Sequence, residues 1–445
     1  MSNGTHVGKR FTGLGTVFLV LFIDLAGFGI LFPLYAEMMK FYLEHDRGLL
    51  HALLGGITAL FPHADTGQQA ALFGGAIGAI YSGVQFITAP LWGRLSDRVG
   101  RRPVLLFSIG GSLMAAVLWA FSCDFTVLLL SRLIAGGMTG NVAVANAAVA
   151  DLTTPETRSR GMATVGMAFG LGFILGPAIG AFAWAYLPHW AATGQVLGVN
   201  PFTCAALIAV ALSLINLVWA WRFFSETLPP EKRTTAPPAT RTLDPAQMFR
   251  ADLGPGVSAI NLAFLTYTLL FSAMEATLVF LVAARLNFDP ARNGWLFVVM
   301  GLVAATMQGA VFRPFVRRFG PRALGIAGVI AMVPGFALLA LVDAHPRESL
   351  MWTGVCLLSV GTGLVFPALS ALASLAGDPT RQGWVMGAFR SAGALGRAGG
   401  PLLGAIAYFS FSPAAPYWIG AVCLLVPVVL LARLPAGSGM TGKVE

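Results

Sequence analysis

The ten residues from Gly93 to Arg102, Gly-Arg-Leu-Ser-Asp-Arg-Val-Gly-Arg-Arg, form a short polar stretch between two long apolar segments. Its glycines permit a tight connection, because they allow close backbone approach or a positive φ. An aspartate such as Asp97 can cap the N-terminus of a neighbouring helix, and arginines can pair with the carboxylates of a partner. A general excess of basic charge would explain the arginines but neither Asp97 nor the glycines. The stretch therefore predicts a structured connection between two helices.

The composition indicates where those helices lie. Of the 445 residues, 56% are hydrophobic and 11% are charged, and the net charge is +9. A soluble domain typically has about a quarter of its residues charged. This much apolar surface cannot be buried in a soluble core, whereas a bilayer can accept it. The composition excludes an ordinary soluble enzyme and a disordered protein, and the 4 cysteines exclude a disulfide scaffold.

Apolar segments of about 20 residues, long enough to cross a bilayer, occur twelve times along the chain. We therefore expect an all-α membrane protein with twelve spans in two six-helix bundles. The expected spans are 13–36, 71–92, 103–123, 126–150, 161–187, 201–224, 256–284, 292–315, 321–342, 349–376, 384–409 and 414–434.

The basic residues predict the orientation of these spans. If both termini are cytoplasmic, most Lys and Arg residues fall on the cytoplasmic side, as the positive-inside rule requires. They are Lys9, Arg10, Arg94, Arg98, Arg101, Arg102, Arg158, Arg160, Arg222, Lys232, Arg233, Arg241, Arg250, Arg313, Arg317, Arg318, Arg322, Arg381, Arg433 and Lys443. The opposite side then holds Lys40, Arg47, Arg285, Arg292 and Arg347. The positive charge thus indicates topology, not nucleic-acid binding.

A Pro-rich polar segment divides the chain. We predict an N-terminal bundle over 1–224, a cytoplasmic linker over 225–252 and a C-terminal bundle over 253–445. An outer-side loop over 37–70 contains an apolar stretch, Gly48–Phe61, which is too short to span the bilayer and predicts an interfacial helix.

The two predicted halves carry related sequence. Gly172–Gly180 (GFILGPAIG) matches Gly396–Gly404 (GRAGGPLLG), and Arg98–Arg102 (RVGRR) matches Arg318–Arg322 (RFGPR), each pair separated by about half the chain. Parallel six-helix repeats with a site at their interface near the bilayer midplane are typical of transporters.

Several motifs resemble those of the major facilitator superfamily. The stretch Gly93–Arg102 resembles the superfamily's hallmark loop, and Arg132 lies in a segment that resembles its span-4 arginine motif. The span-1 stretch from Asp24 to Pro33 is similar to the first helix of tetracycline-resistance-type drug:proton antiporters. This resemblance implies a gating loop motif made by Gly93, Asp97, Arg98, Gly100, Arg101, Arg102 and Asp151. It also implies an antiporter motif in span 5 made by Gly172, Gly176, Pro177 and Gly180.

The span-5 motif also has a direct physical interpretation. Glycines four residues apart lie on one helix face and allow another helix to pack closely, and Pro177 interrupts the helical hydrogen bonding. Such a face can form a sliding or sealing contact between the halves, or it can provide close packing alone.

Two acidic residues lie near the middle of predicted spans: Asp24 in span 1 and Glu275 in span 7. Ionised side chains at that depth are costly and commonly functional. An apolar cavity favours the neutral form of a carboxyl group, so either residue can bind and release a proton. The resemblance places spans 1 and 7 around the central cavity, where the two carboxyls would face each other. The structural alternatives are a hydrogen bond within the first bundle for Asp24 and an ion pair with a span-11 arginine for Glu275.

Three arginines lie within spans. Arg132 is expected either to assist proton transfer or to form a buried structural pair. Arg390 lies near the cytoplasmic end of span 11 and is expected to reach the surface by extending its side chain. Arg397 lies too deep to do so, and it either pairs with Glu275 or binds an anionic group of the substrate. Further polar residues expected to line the cavity include Asn141, Asn146 and Gln308.

The sequence therefore predicts a secondary active transporter that exports a small amphipathic compound or drug in exchange for protons. The first alternative is a proton symporter or facilitator for an anionic metabolite, with Arg397 as the anion site. The second is a membrane receptor or enzyme without transport activity. The chain has neither a phosphate-binding Gly-x-x-x-x-Gly-Lys-[Ser/Thr] motif nor a His-Glu-x-x-His motif. Accordingly, no enzymatic activity, cofactor or metal is predicted.

The expected partners are the small-molecule substrate, protons and membrane lipid. A monomer that binds no nucleic acid is expected. Arginine greatly outnumbers lysine, as in proteins from GC-rich bacterial genomes. The expected location is therefore a bacterial inner membrane.

Overall fold

A computed structural model of the chain describes residues 4–45, 48–60, 66–233, 253–288 and 290–434. Within these ranges every regular element is a helix, and the one strand-like pairing is an isolated bridge between Ser122 and Leu197. The predicted all-α class is confirmed.

The helices of the two halves run in the following order. The first half contains α1 (Gly4–Gly29), α2 (Tyr35–His45), α3 (Leu49–Leu60), α4 (Thr66–Val99), α5 (Arg101–Ala120), α6 (Phe125–Gly137), α7 (Gly140–Leu152), α8 (Pro155–Tyr186) and α9 (Thr203–Phe223). The second half contains α10 (Val257–Leu286), α11 (Pro290–Thr306), α12 (Arg313–Ala344), α13 (Glu348–Ala376), α14 (Gln382–Ser410), α15 (Ala415–Cys423) and α16 (Leu425–Ala432).

These helices account for the twelve predicted spans. In the described part of the chain, eight stretches are long and apolar enough to cross a membrane, and Gly13–Gly29 is a shorter apolar helix. One of the eight, Trp295–Ala344, contains two crossings because the chain turns at Gly320. The remaining two spans are α4 and α14, which are long helices with more polar sequences. Bulky apolar side chains cover the outside of the molecule, among them Phe107, Phe182, Trp221, Trp295 and Val422.

Several predicted spans are divided into consecutive helices. Span 1 is interrupted by a 3-10 turn at Phe32–Leu34, where Pro33 cannot donate a helical hydrogen bond. Span 8 continues from α11 into α12 through a π-helical segment, Met307–Phe312.

The segments between the spans differ in how much of them is described. The predicted loop over 37–70 is largely helical where it is described, since α2, α3 and the start of α4 occupy it. Of the predicted linker 225–252, residues 234–252 lie outside the described part of the chain.

The matched sequences Arg98–Arg102 and Arg318–Arg322 make the same turn. Gly100 has φ 109° and ψ 163°, and Gly320 has φ 76° and ψ 161°. A residue with a side chain is strained at such positive φ values. The backbone geometry that the two turns share explains why both copies have glycine here, and it supports the duplication inferred from the sequence.

The matched glycine faces also pack alike. In α8, a Cβ on Gly176 would lie 2.6 Å from the carbonyl oxygen of Ala26, so this face lies directly against α1. In α14, a Cβ on Gly400 would lie 2.6 Å from the carbonyl oxygen of Leu269, so this face lies directly against α10. Each glycine face therefore joins two helices of the same half, which corresponds to the close-packing alternative for the span-5 motif. In the described part of the chain, the nearest neighbours of the α8 glycine face all belong to the first half.

Candidate functional site

The gating loop motif forms a buried ionic cluster. Arg101 is only 1% exposed. Its Nη1 donates to Asp97 Oδ1 over 2.6 Å, and its Nε donates to Asp151 Oδ2 over 2.9 Å. Arg101 Nη1 also donates to Ser96 Oγ, and Thr227 Oγ1 donates to Asp151 Oδ2. The cluster therefore ties α4, α5 and α7 to the chain that follows α9.

Asp97 connects this cluster to the other half of the molecule. Its two carboxylate oxygens accept hydrogen bonds from the backbone N–H groups of Gly383 (2.9 Å) and Trp384 (2.8 Å), in the first turn of α14. The first N–H groups of a helix have no partner within the helix, and the helix dipole favours negative charge there. The aspartate thus caps α14 from across the interface, in the way that the sequence suggested for a neighbouring helix.

The halves approach very closely beside this cap. A Cβ on Gly93 would lie 2.1 Å from the carbonyl oxygen of Gly383, and a Cβ on Gly383 would lie 2.4 Å from that of Gly93. The Arg94 guanidinium lies 3.5 Å from the centroid of the Trp384 ring. Only glycine permits this approach of α4 and α14.

Glu226 also contacts the gating loop motif, although it lies outside the sequence from which the motif was predicted. Its Oε1 accepts from the N–H of Arg101 (2.8 Å) and its Oε2 accepts from the N–H of Arg102 (3.2 Å), so it caps the start of α5. Arg102 Nη2 donates to the Trp221 carbonyl oxygen. Arg98 is half-buried at the end of α4. Glu226 was not among the predicted site residues, although an acid that follows the last span of the half, on the same side as a helix start, is a signal for such a cap.

The contacts between the halves extend inward from this end. Along α4 and α14, Ser391 Oγ donates to the Phe86 carbonyl oxygen, and Arg397 Nη2 donates to Gln85 Oε1 over 3.0 Å. On the other flank, α8 contacts the second half, with the rings of Phe169 and Phe366 5.0 Å apart. The molecule is closed at the end that holds the motif, which we call the motif end.

Beyond this closure lie the two acidic residues of the predicted spans. Asp24 on α1 and Glu275 on α10 are both half-buried. Asp24 hydrogen-bonds the side chain of Asn141 on α7. Such a bond within the first bundle was the structural alternative for Asp24, and it also keeps the carboxyl in a fixed position.

The two acids are related by two further polar side chains, each within electrostatic range of the next. Tyr81 on α4 lies within electrostatic range of both Asp24 and Arg397, and Arg397 lies within range of Glu275. The Tyr81 ring stacks on Phe28 with centroids 4.6 Å apart, which fixes its position. We call this series of electrostatic neighbours (Asp24, Tyr81, Arg397 and Glu275) the polar chain, and its members come from both halves. Tyr81 was not among the predicted site residues.

Arg397 has a neutral partner. Its direct hydrogen bond goes to Gln85, and no acidic oxygen within 4 Å of its guanidinium is found among the described residues. The predicted ion pair with Glu275 is thus not a direct contact, although the two charges lie near each other.

Arg390 lies inside the molecule rather than at its surface. It is 2% exposed, and its guanidinium carbon lies 4.7 Å from the Phe169 ring centroid and 5.9 Å from that of Phe366. The expectation that it extends to the cytoplasmic surface is wrong, because Phe169 of the opposite half and Phe366 of its own half enclose it.

Arg132 belongs to a different group of side chains. It is 6% exposed, donates to Ser131 Oγ and lies 5.4 Å from the Trp119 ring centroid. Three tyrosines lie within electrostatic range of it: Tyr35, Tyr42 and Tyr81. Tyr81 is therefore the residue that connects Arg132 with the polar chain.

The remaining predicted polar residues are dispersed. Asn146 is fully buried and donates to the Val142 carbonyl oxygen. Gln308 lies on the π-helical segment and faces Gly166 of α8 across the interface. π-Helical turns are frequent at functional sites, but the described contacts bring neither residue to the acids.

The chain is similar in sequence to a known family and to several of its members. The model of the family described as the Major Facilitator Superfamily matches residues 17–401 and 256–441. The chain is 34% identical to "Major facilitator superfamily domain-containing protein 10" of Bos taurus over 95% of this chain and 92% of that protein. It is 31% identical to "Tetracycline resistance protein, class C" of Escherichia coli over 87% of this chain and 92% of that protein.

Solved structures have the same architecture. The crystal structure of the human organic anion transporter MFSD10 (TETRAN) matches with a TM-score of 0.85 and 34% identity, over 95% of this chain and 99% of that one. The proton:xylose symporter XylE matches with a TM-score of 0.73 and 13% identity, over 98% of each chain. The second likeness concerns the fold alone.

Proposed function

This chain belongs to the major facilitator superfamily, and from that premise we propose that it exchanges protons for a small amphipathic compound by alternating access. It is an integral, multi-pass membrane transporter and not an enzyme. The coupling ion, the direction and the substrate are the proposed part.

One observation carries the proposal: two half-buried acids from opposite halves, Asp24 and Glu275, are the ends of the polar chain, whose members lie within electrostatic range of one another. Ionisable groups inside membrane spans are expensive, and their usual role is in a substrate or ion pathway. The polar chain lies beyond the closed motif end, so we propose that it is reached from the other end in this state. If the motif end opened and the other end closed, the same groups would become accessible from the other side of the membrane.

Proton coupling follows from the nature of these acids. A carboxyl in weakly polar surroundings favours its neutral form, while a nearby cation favours its charged form. Arg397 lies near Glu275, whereas Asp24 has a neutral amide partner. A change in the contacts of Arg397 would therefore change the proton affinity of Glu275, which couples substrate binding to proton release.

The proposed direction is export across the plasma membrane, with both termini cytoplasmic. The distribution of basic residues supports the orientation. The span-5 motif and the likeness to the tetracycline resistance protein support export of a drug-like compound. The relatives come from animals as well as bacteria, so a bacterial inner membrane rests on composition alone. We propose a monomer, because each chain contains both halves of the pathway.

An organic anion is the second candidate substrate. Arg397 has a direct neutral partner, Gln85, and its charge is available to a ligand. The relative of known structure is described as an organic anion transporter. In this case substrate and proton could move in the same direction.

Flux measurements test the proposal. The purified full chain in liposomes, under an imposed pH gradient, is expected to move a compound from a panel of drugs and organic anions against its concentration gradient. Glu275→Gln and Asp24→Asn are expected to abolish or reduce this driven flux while leaving exchange of the same compound without a gradient. Driven flux that persists in the double variant would overturn proton coupling through these acids. The direction of flux relative to the gradient separates antiport from symport.

A further inference from the structure

Arg390 has donors that the protein does not satisfy. It is 2% exposed, and its Nε and Nη1 have no hydrogen-bond partner among the described residues. A guanidinium carries five N–H groups in a rigid fork that matches a carboxylate or a sulfonate. Buried donors without partners are costly, so this arrangement requires a reason other than stability.

The surroundings of Arg390 are aromatic. Phe169 and Phe366 lie against the guanidinium. Phe264 continues the cluster, with its ring stacked on Phe389 at 4.0 Å and 5.9 Å from that of Phe366. Aromatic faces attract a guanidinium but do not replace oxygen acceptors for its N–H groups. The cluster is suited to an aromatic ring beside an anionic group.

Arg390 and Arg397 lie on one face of α14, seven residues apart. At 1.5 Å per residue they are separated by about 10 Å along the helix. Arg397 is half-buried at the inner edge of the closure, whereas Arg390 lies within it. The groups within electrostatic range of Arg390 are Arg397 and Tyr81. An anion between two such cations would relieve their repulsion.

The closure passes through the level of Arg390. Ser391, the next residue, is bonded to the Phe86 carbonyl oxygen, and a Cβ on Gly387 would lie 2.8 Å from the Ala89 carbonyl oxygen. Separation of α4 from α14 at this level would remove the cover from Arg390. Its free N–H groups would then face the motif end.

We propose that Arg397 and Arg390 are successive binding stations for an amphipathic aromatic anion, such as an aryl carboxylate or aryl sulfonate. Arg397 binds the anion in the present state, and Arg390 binds it once the motif end opens. This inference rests on the proposed transport function and specifies its substrate class.

Equilibrium exchange in membrane vesicles of both orientations tests the two stations. The probes are labelled 2-naphthoate, its neutral amide 2-naphthamide, and octanoate as an anion without an aromatic ring. The full chain is expected to exchange 2-naphthoate in preference to the other two. Arg390→Met is expected to raise the KM for 2-naphthoate about tenfold or more at the motif side, from the loss of a charged hydrogen bond. At the opposite side its KM should stay within about twofold.

Arg397→Met is expected to give the reverse asymmetry. Arg318→Met, which removes an exposed arginine at the motif end, should change neither KM. Arg390→Lys keeps the charge and is expected to lose less than Arg390→Met, which guards against a general folding defect.

Three results would overturn the inference: equal losses from both sides in either variant, equal losses for the acid and its amide, or no exchange of 2-naphthoate by the unaltered chain. In the last case, proton-driven flux of another compound would leave the proposed function intact. The absence of driven flux for every compound would instead overturn the proposed function.

Discussion

Asp97 accepts hydrogen bonds from both halves of the molecule. Within its own half it receives Arg101, and across the interface it receives the backbone of Gly383 and Trp384. Because its charge is favourable at the start of α14 only while the halves touch there, Asp97 stabilises the state closed at the motif end.

Asp97→Asn is expected to favour the open motif end. The amide keeps one acceptor but loses the charge, so the cap and the pair with Arg101 weaken by about 1–3 kcal/mol. A cysteine at Ser391, in a chain without other cysteines, should react about tenfold faster or more with a membrane-impermeant maleimide added at the motif side.

Asp343→Asn provides the matched control. Asp343 pairs with Arg285 over 2.8 Å, away from the interface between the halves. It should leave the labelling rate unchanged. Equal labelling in the Asp97 variant and the unaltered chain would contradict the assigned role of Asp97.

Glu226 caps the start of α5, as Asp97 caps the start of α14. Glu226→Gln is expected to lower the free energy of unfolding by about 1 kcal/mol, because the charged cap of α5 is lost. Thermal unfolding of the purified chain measures this. Glu231→Gln, at an exposed glutamate of the same segment, should have no effect, and an equal shift in both variants would exclude a specific cap.

At the scale of elements, α4 and α14 form the seam that closes one flank of the motif end. Both are less apolar than the other spans, because each carries polar groups that face the opposite half. Their close contact at Gly93 and Gly383 leaves no space for a side chain.

Gly93→Ala is expected to separate this seam. The added methyl would meet the Gly383 carbonyl oxygen, and such overpacking costs about 1–3 kcal/mol. The variant should show reduced transport and faster labelling at Ser391→Cys from the motif side. Gly399→Ala in α14 is the control, since its nearest neighbour would be Leu269 at 3.7 Å. A transport rate in Gly93→Ala equal to that of the control would show that the seam tolerates the methyl.

The sequence predicted the elements better than their contacts. Hydropathy and the positions of arginines located the spans. Each span must be apolar along its own length and must pair its backbone polar groups internally, so the signal is local in the sequence. Tyr81 and Glu226 were missed because their importance depends on which helices meet. Arg390 was misplaced for the same reason: its distance from the span end indicated access to the surface, but Phe169 from the other half covers it.

At the scale of the whole molecule, transport requires the halves to separate at the motif end and meet at the other. The closure observed here also involves α8 and α11, where a Cβ on Gly170 would lie 3.4 Å from that of Ala305. This separation is close to that of a disulfide.

Cysteines at Gly170 and Ala305 are therefore expected to crosslink on oxidation and to stop transport, with recovery on reduction. Cysteines at Gly325 and Ala368 should also crosslink, because their Cβ atoms would lie 3.1 Å apart. That pair lies within one half and should leave transport intact. Flux in liposomes before and after reduction measures both, and continued flux through the oxidised first pair would contradict a rigid-body exchange of access.

The matching turns at Gly100 and Gly320 reveal an inequality between the two copies. Three residues before each turn stand Asp97 in one copy and Arg317 in the other. Asp97 meets the start of α14, whereas Arg317 lies within electrostatic range of Arg160, near the start of α8. One seam is held by a charged helix cap, whereas its counterpart has a hydrogen bond from Arg313 Nη2 to the neutral Thr164 Oγ1 beside the two arginines. Water should therefore penetrate first along the α8 side, so that the motif end hydrates from one flank before the other.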